Sequence, residues 1–161
     1  SAPLPATRGD LVALIDARIA ERGGAAPEWK PPPPKPRLTV EEAGAEMGLT
    51  PFEVDAVRSA YQAAEAELIA SVMGTADLDA IKEEVAAAKE DPDRKAALVQ
   101  KAVGNVIRNL GKMMTIEDRR DRDLRRVLSE EQVKKLKGYD LKPTLADAEL
   151  EGILKDAFGG R

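Results

Sequence analysis

The side chains of this 161-residue chain that could do chemistry are carboxylates, lysines, arginines and hydroxyls, because the sequence has no histidine and no cysteine. Without those two residue types, Ser-His-Asp and Cys-His catalysis, thiolate zinc sites and disulfide redox chemistry are excluded. Catalysis by carboxylates needs a pair held in one cleft, whereas Asp and Glu are scattered along the sequence. We therefore predict no catalytic residue, no cofactor, no metal site and no enzymatic activity.

Hydroxyl side chains recur three residues before a Glu or Gln, which is the spacing of a capping box. In a capping box the Ser or Thr oxygen accepts a backbone N–H of the first helical turn, and the Glu or Gln bonds back to the backbone of the cap. The pairs with this spacing are Thr39 with Glu42, Thr50 with Glu53, and Ser129 with Gln132. Each pair is expected to begin a helix.

Apolar residues at three- and four-residue intervals predict the helices that follow these starts. One long helix is expected over about 51–73, a shorter one over 76–90, and the longest from Asp91 onward. The buried side of that last helix is predicted to consist of Val99, Val103, Val106, Leu110, Met113 and Met114. Aromatic residues make up only 3% of the chain, which is typical of helices packed through small side chains. The predicted fold class is all-α.

Three segments are predicted along the chain. Residues 1–25 form an amino-terminal amphipathic helix, and residues 26–37, which include six prolines, form a Pro-rich linker that favours extended backbone. Residues 38–161 form the main helical domain. Its last helix is expected to begin at Thr144 and to dock through Leu145, Leu150, Ile153, Leu154 and Phe158.

Charge is unevenly distributed along the chain. Residues 38–91 carry 3 basic and 13 acidic side chains, a net charge of −10, whereas residues 92–161 carry 16 basic and 12 acidic ones, a net charge of +4. Seven consecutive charged residues occupy 117–123. Because such a run cannot continue an apolar side, we expect it to project into solvent or to line an interface with another chain.

Residues 39–60 allow a first interpretation, a helix-turn-helix of a transcriptional regulator or a sigma-factor-like domain. The pattern has a small residue, Gly44, where two helices would cross, and Gly48 at the turn. DNA binding, however, depends on neutralising phosphates, and the would-be recognition helix begins with Glu53 and Asp55 against one base, Arg58. We therefore do not expect duplex DNA to be the partner.

A second interpretation rests on two motifs that lie 79 residues apart. Leu49, Thr50 and Glu53 open the first long helix, and Leu128, Ser129 and Gln132 follow the second. They resemble the two LTxxQ motifs of the Spy/CpxP-like family of bacterial periplasmic helical proteins, with Glu53 in place of Gln and Ser129 in place of Thr. Both replacements keep the capping function. The order of helices over about residues 46–140 is also similar to that of the family.

The resemblance implies a bent antiparallel helical hairpin of four to five helices that pairs into a homodimer. It also implies a periplasmic protein that acts by protein binding, as an ATP-independent chaperone or as an envelope-stress or metal-responsive sensor. Family members that bind metals use histidine, which is absent here. Unfolded or partner proteins would contact a surface that combines flexible methionines with arginines. The candidate residues for that surface are Met113, Met114, Arg119, Arg120, Arg122, Arg125 and Arg126.

No apolar run reaches the roughly 20 residues that span a bilayer, so no membrane span is expected in this chain. A membrane anchor ahead of Ser1 is compatible with a periplasmic location. A structural helical interaction domain is the remaining alternative, since well-capped helices occur in many unrelated bundles.

Overall fold

The chain divides after Pro34 into two units, Ser1–Pro34 and Lys35–Arg161. The computed structural model describes residues 8–21 and 29–159. Within these residues the protein is all-α, as predicted, with seven helices and one small two-stranded sheet. The elements are α1 (Arg8–Glu21), β1 (Arg37–Leu38), α2 (Val40–Met47), α3 (Pro51–Met73), α4 (Leu78–Lys89), α5 (Pro92–Leu124), α6 (Glu130–Leu136), β2 (Asp140–Leu141) and α7 (Ala148–Ala157).

The first unit contains the predicted amino-terminal helix. Helix α1 begins at Arg8, and Leu11, Val12, Leu14 and Ile15 on it are exposed. The rest of the predicted segment 1–25, residues 1–7 and 22–25, lies outside the described residues. Of the predicted linker, residues 29–36 have no regular secondary structure. Residues 37 and 38 belong to the sheet of the second unit.

Helices α3, α4 and α5 form an antiparallel hairpin. Gly74, in the left-handed region with φ 77°, ends α3, because a residue without Cβ adopts this backbone without strain. The Nδ2 of Asn105 donates a hydrogen bond to the Val72 carbonyl at 2.8 Å, and Arg119 pairs with Glu67 at 3.0 Å. Since residue numbers rise on α5 as they fall on α3, the two helices run in opposite directions.

Two apolar clusters hold the hairpin and its neighbours together. The turn core joins the carboxyl-terminal part of α3 to α4, the first two thirds of α5, and α7. Its buried residues are Ile69, Val72, Met73, Ile81, Val85, Ala88, Leu98, Ala102, Met113, Leu150, Ile153 and Ala157. The motif core joins α2, the start of α3, the end of α5, and α6. Its buried residues are Val40, Ala43, Val57, Leu124, Leu128, Val133 and Leu136.

The two strands are short and parallel. Arg37 aligns with Asp140, and Leu38 with Leu141. The N–H of Asp140 donates to the Pro36 carbonyl at 2.9 Å. The strands therefore attach the segment before α2 to the segment that connects α6 with α7.

The predicted buried side of α5 is wrong in part. Leu110 and Met114 are 55% and 64% exposed, whereas Leu98, Ala102 and Asn105 are buried. Helix α5 carries apolar residues on two sides, and the side that packs on α3 includes the polar Asn105, whose bond to Val72 satisfies its amide. A search for apolar spacing does not count that position, so it favoured a stripe rotated away from the core.

The predicted start of the last helix is also wrong. Helix α7 is capped by Asp147, whose carboxylate accepts the Leu150 N–H at 2.8 Å, whereas Thr144 bonds to α3. Leu150 and Ile153 are buried, and Leu145 and Leu154 pack against the turn core as expected. Phe158, which was expected to dock, is 53% exposed because it lies just beyond the last helical turn.

Candidate functional site

The two motifs meet in the structure at the first turns of α3 and α6. The N–H of Glu53 donates to the Thr50 hydroxyl at 3.2 Å, and the N–H of Gln132 donates to the Ser129 hydroxyl at 3.1 Å. Both capping boxes are complete. Across the motifs, the Nε2 of Gln132 donates to the Glu53 carboxylate at 3.4 Å, although the residues are 79 positions apart. The third residue of each helix therefore links the two starts.

The leucines that precede the two caps share one cluster. Leu128 is buried in the motif core, and Leu49 packs against the same core. The box of Thr39 and Glu42, which belongs to neither motif, is equally complete at the start of α2. A complete capping box therefore does not set the two motifs apart from the start of α2. The hydrogen bond between Glu53 and Gln132 does, because it joins the starts of α3 and α6. All six predicted motif residues lie together.

A buried carboxylate fastens α5 to the end of α6. Asp121 is only 5% exposed. The Nζ of Lys137 lies 2.6 Å from Asp121 Oδ2, and a guanidinium nitrogen of Arg120 lies 3.2 Å from Oδ1. The Arg120 guanidinium also lies 4.5 Å from the centre of the Tyr61 ring, a cation–π distance. Helices α3, α5 and α6 thus meet around one ion-paired group.

Two opposing effects act on the pKa of Asp121. Burial raises it, but the hydrogen bond from Lys137 and the positive charge of Arg120 outweigh burial and hold the pKa below its ordinary value. Asp121 therefore stays ionised inside the protein. The prediction that residues 117–123 project into solvent or line an interface is wrong for Arg120 and Asp121. Their charges pack within the domain because Lys137, 16 residues later, supplies the missing partner.

One side of α5 presents large apolar residues to solvent. Ile107, Leu110 and Met114 are 72%, 55% and 64% exposed, and their spacing of three and four places them on one side of the helix. We call these three residues the exposed strip. Met113, predicted as part of the same surface, is instead buried in the turn core, since successive helical residues point about 100° apart. Leu110 and Met114 were predicted to lie on the buried side of α5, and Ile107 was not identified from the sequence.

The five predicted arginines separate into inward and outward positions. Arg119 pairs with Glu67, Arg125 with Glu130 at 2.6 Å, and Arg126 with Asp123 at 3.7 Å, all with exposed side chains. Arg122 is exposed as well. Arg120 is not on this surface, because it lies between Tyr61 and Asp121. The structure therefore keeps Met114 and four arginines as surface candidates and removes Met113 and Arg120.

A cleft of about 690 Å³ opens beside the buried Asp121. Helix α3 lines it with Tyr61, Ala64 and Leu68, and α5 contributes Glu117 and Asp118. The opposite wall is part of the connection between α6 and α7, which we call the strap and define as residues 137–147. The cleft therefore combines an apolar wall with charged edges.

Glu65 fixes the strap to α3 and was not identified from the sequence. Its carboxylate accepts four hydrogen bonds, from the N–H and hydroxyl of Thr144 and from the N–H groups of Leu145 and Ala146, at 2.9–3.0 Å. In the sequence Glu65 is one more acid on a helix. No local signal links it to backbone donors 79 to 81 residues away.

Helices α2 and α3 pack closely at a glycine, as a helix-turn-helix requires. A Cβ on Gly44 would lie 2.6 Å from a methyl group of Val54, and Gly48 ends α2 with φ 67°. Arg58, the one base near the start of α3, is held by Glu41 at 2.5 Å and Asp55 at 2.6 Å. The geometry allows close helix packing, but the basic group that could meet a phosphate is already paired with acids.

Among residues 8–21 and 29–159 there is no helix long and apolar enough to cross a membrane. The same residues contain no group of three or more acidic side chains arranged to hold a metal ion. Comparison with protein-family models, curated proteins and solved structures finds no match to this chain.

Proposed function

We propose that this protein binds other proteins, as an ATP-independent holding chaperone or a sensor of the bacterial envelope, and that the exposed strip of α5 is the contact surface. The observation that carries the proposal is the exposure of Ile107, Leu110 and Met114 at 72%, 55% and 64% on one side of a helix. Scattered apolar residues are common on surfaces, but three in register form a continuous apolar patch.

The chemistry of the strip suits weak binding to varied sequences. Met114 has a flexible, polarisable side chain that adapts to partners of different shape. Toward the end of α5 the surface becomes charged, with Arg119 and Arg122 exposed. A client held there is removed from the pool of free, aggregating chains by mass action, without ATP or covalent chemistry.

The periplasmic location and the stress or sensor role rest on the resemblance of the two motifs to the Spy/CpxP-like family. The contact between Glu53 and Gln132 supports that resemblance, because it gives the two separated motifs one structural purpose. Capping boxes are generic, so the contact between the two boxes, rather than either box alone, supports the resemblance.

Suppression of aggregation tests the proposal. The double variant Leu110→Ser/Met114→Ser removes two apolar side chains that make little contact with the core. The matched control is Phe52→Ser, because Phe52 is 73% exposed but lies at the start of α3. A heat-denatured or reduced client is mixed with equimolar protein, without ATP, and turbidity is followed.

Wild type and Phe52→Ser are expected to suppress turbidity, and the double variant to lose most of that effect while keeping its helical circular dichroism. Unchanged client turbidity with wild-type protein would contradict a holding function. Equal suppression by all three proteins would assign the client to another surface.

A homodimer is a competing use of the strip, because a strip buried between two copies is closed to a client. Antiparallel pairing of two α5 helices through the strip would bury Ile107, Leu110 and Met114 of both copies against each other. Sedimentation velocity of the wild type and of the double variant tests this pairing. A dimer that becomes monomeric in the variant places the strip in the dimer interface, and an unchanged dimer excludes it.

The packing of α2 on α3 through Gly44 favours one alternative, a helix-turn-helix used for contact with another molecule. The pairing of Arg58 with Glu41 and Asp55 favours a protein over DNA. Fluorescence anisotropy with duplex DNA at physiological salt is expected to show no binding. A sub-micromolar, salt-sensitive affinity would restore the DNA-binding interpretation.

A further inference from the structure

The strap is an extended segment that lies across the hairpin. From Tyr139 to Leu145 its residues alternate between half-buried and exposed, with positions 139, 141, 143 and 145 turned toward the body. This period of two is that of extended backbone. Tyr139 and Leu141 pack against the motif core, and Leu145 packs against the turn core. The strap therefore crosses from one core to the other.

Two carboxylates of the hairpin fasten the strap at its ends. At the amino-terminal end, Lys137 pairs with Asp121 at 2.6 Å. At the carboxyl-terminal end, the single Glu65 side chain accepts all four hydrogen bonds from Thr144, Leu145 and Ala146. Removing one functional group would therefore release a whole end of the strap.

Between these fastenings the strap is only partly packed. Its inward side chains are half-buried rather than buried, and the cleft of about 690 Å³ lies between the strap and α3 and reaches Ile69 and Val72 of the turn core. On its outer side the strap is held by two backbone hydrogen bonds, from Asp140 N–H to Pro36 and from Lys142 N–H to Leu38, at 2.9 and 2.8 Å. The other outer contacts, from Lys35 to the Lys137 carbonyl and from Arg37 to Asp140, are exposed to solvent. A segment with few buried contacts opens at lower free energy than the helices around it.

We propose that the strap is a displaceable cover, and that the surface of α3 and α5 beneath it binds an extended polypeptide segment. The strap itself shows which shape that surface accepts, namely an extended chain with apolar side chains at every second residue. This inference rests on the proposed protein-binding function and names the conformation of the client. It concerns a surface separate from the exposed strip.

Charge identifies a further property of the client. Helices α3 and α5 line the cleft with four acids, Glu65, Glu117, Asp118 and Asp121, and one base, Arg120. The lysines of the lining lie elsewhere, because Lys137 and Lys142 belong to the strap and Lys35 precedes β1. A lysine or arginine in the client would pair with the acids of α3 and α5. The preferred segment therefore combines alternating apolar residues with one or two basic residues.

The test uses the full chain and two variants of neighbouring acids on α3. Glu65→Ala removes the four bonds to the strap, whereas Glu67→Ala, the matched control, removes a pair with Arg119 on the surface. The probe is a fluorescent peptide of alternating Leu and Thr with two Lys. A second peptide has the same composition, with its Leu residues at three- and four-residue spacing.

Glu65→Ala is expected to bind the alternating peptide about tenfold more tightly than the wild type or Glu67→Ala, because the cover no longer competes. Hydrogen exchange at Thr144, Leu145 and Ala146 should accelerate in Glu65→Ala alone. The peptide with helical spacing is expected to bind Glu65→Ala at least several-fold more weakly than the alternating peptide.

Equal affinity of the alternating peptide for wild type and Glu65→Ala, with faster exchange at the strap, would overturn the proposal. Equal affinity of Glu65→Ala for both peptides would also overturn it. If Glu65→Ala fails to fold, Thr144→Val removes one of the four bonds and should give a smaller change in the same direction. An unchanged affinity in that folded variant would again overturn the proposal.

A failure of the proposal for the cleft can be distinguished from a failure of the proposal for the exposed strip. Leu110→Ser/Met114→Ser leaves the cleft intact, so it should lose aggregation suppression while peptide binding to the cleft is unchanged.

Discussion

The turn core and the motif core hold two ends of one hairpin by different means. Both cores contain fully buried apolar side chains, such as Leu150 in the turn core and Leu124 in the motif core. Around the motif core, three capping boxes and the ion pairs of Asp121 add polar fastenings. Apolar packing contributes stability without requiring particular partners, whereas polar groups need specific ones. The motif end is therefore the part whose geometry depends most on individual residues.

The largest expected effect comes from truncating the turn core. Leu150→Ala should lower the free energy of unfolding by about 3 kcal/mol, because its side chain is fully buried and leaves a cavity. The matched control is the same substitution at Leu110, which is 55% exposed and should cost less than about 0.5 kcal/mol. Urea unfolding followed by circular dichroism measures both. A similar loss at both sites would mean that the exposed strip is covered in solution.

Removing the buried charge of Asp121, at the motif end, is expected to have the second largest effect on stability. Asp121→Ala should lower the free energy of unfolding by about 2 kcal/mol. The reason is that Arg120, whose side chain is 16% exposed, loses the carboxylate with which it pairs. The loss stays below that of a fully buried pair because Lys137 is 46% exposed and regains water.

Asp123→Ala is the control for the charge change, since Asp123 is half exposed and meets Arg126 at 3.7 Å. It should alter stability by no more than about 0.5 kcal/mol. Thermal unfolding of the two variants separates the roles, and equal melting temperatures would contradict a structural role for Asp121.

Two glycine-to-alanine substitutions are expected to change stability in opposite directions, because Gly44 lies on a packed helix surface and Gly111 on an open one. Gly44→Ala should destabilise the protein by about 1–2 kcal/mol, because its new Cβ would meet Val54 at 2.6 Å. Gly111→Ala has open space around it and should stabilise α5 by roughly 0.5–1 kcal/mol. The melting temperatures should move in opposite directions. A stabilising Gly44→Ala would show that α2 does not pack closely on α3.

The smallest expected effect is the direct link between the motifs. A double-mutant cycle of Glu53→Ala and Gln132→Ala should give a coupling energy of about 0.5 kcal/mol, since their hydrogen bond is long, at 3.4 Å. The control cycle pairs Glu42→Ala with Gln132→Ala and should give none. Equal coupling in both cycles would remove the structural basis for treating the two motifs as a pair.

Local signals predicted the three helix starts that have capping boxes, but not the start of α7. Each capping box depends on residues three apart, so Thr39, Thr50 and Ser129 were identifiable without any tertiary information. The all-α class followed from the composition, which is poor in aromatic residues.

Features that depend on distant partners were not predictable. The burial of Asp121 depends on Lys137 and Tyr61, and the role of Glu65 depends on backbone donors in the strap. The choice between the two apolar sides of α5 was settled by Asn105, a polar residue that bonds to Val72. On the candidate surface, the neighbours of Met114 are therefore Ile107 and Leu110, and not the predicted Met113.

Site-specific photo-crosslinking tests most directly whether the exposed strip holds other proteins. A photoreactive residue replaces Leu110 in one variant and Phe52 in the other, and each is irradiated with a denaturing client. Strong client crosslinks from position 110, with few from position 52, are predicted. Crosslinks of equal strength from both positions, or none from position 110 while aggregation is still suppressed, would contradict the assignment of the strip.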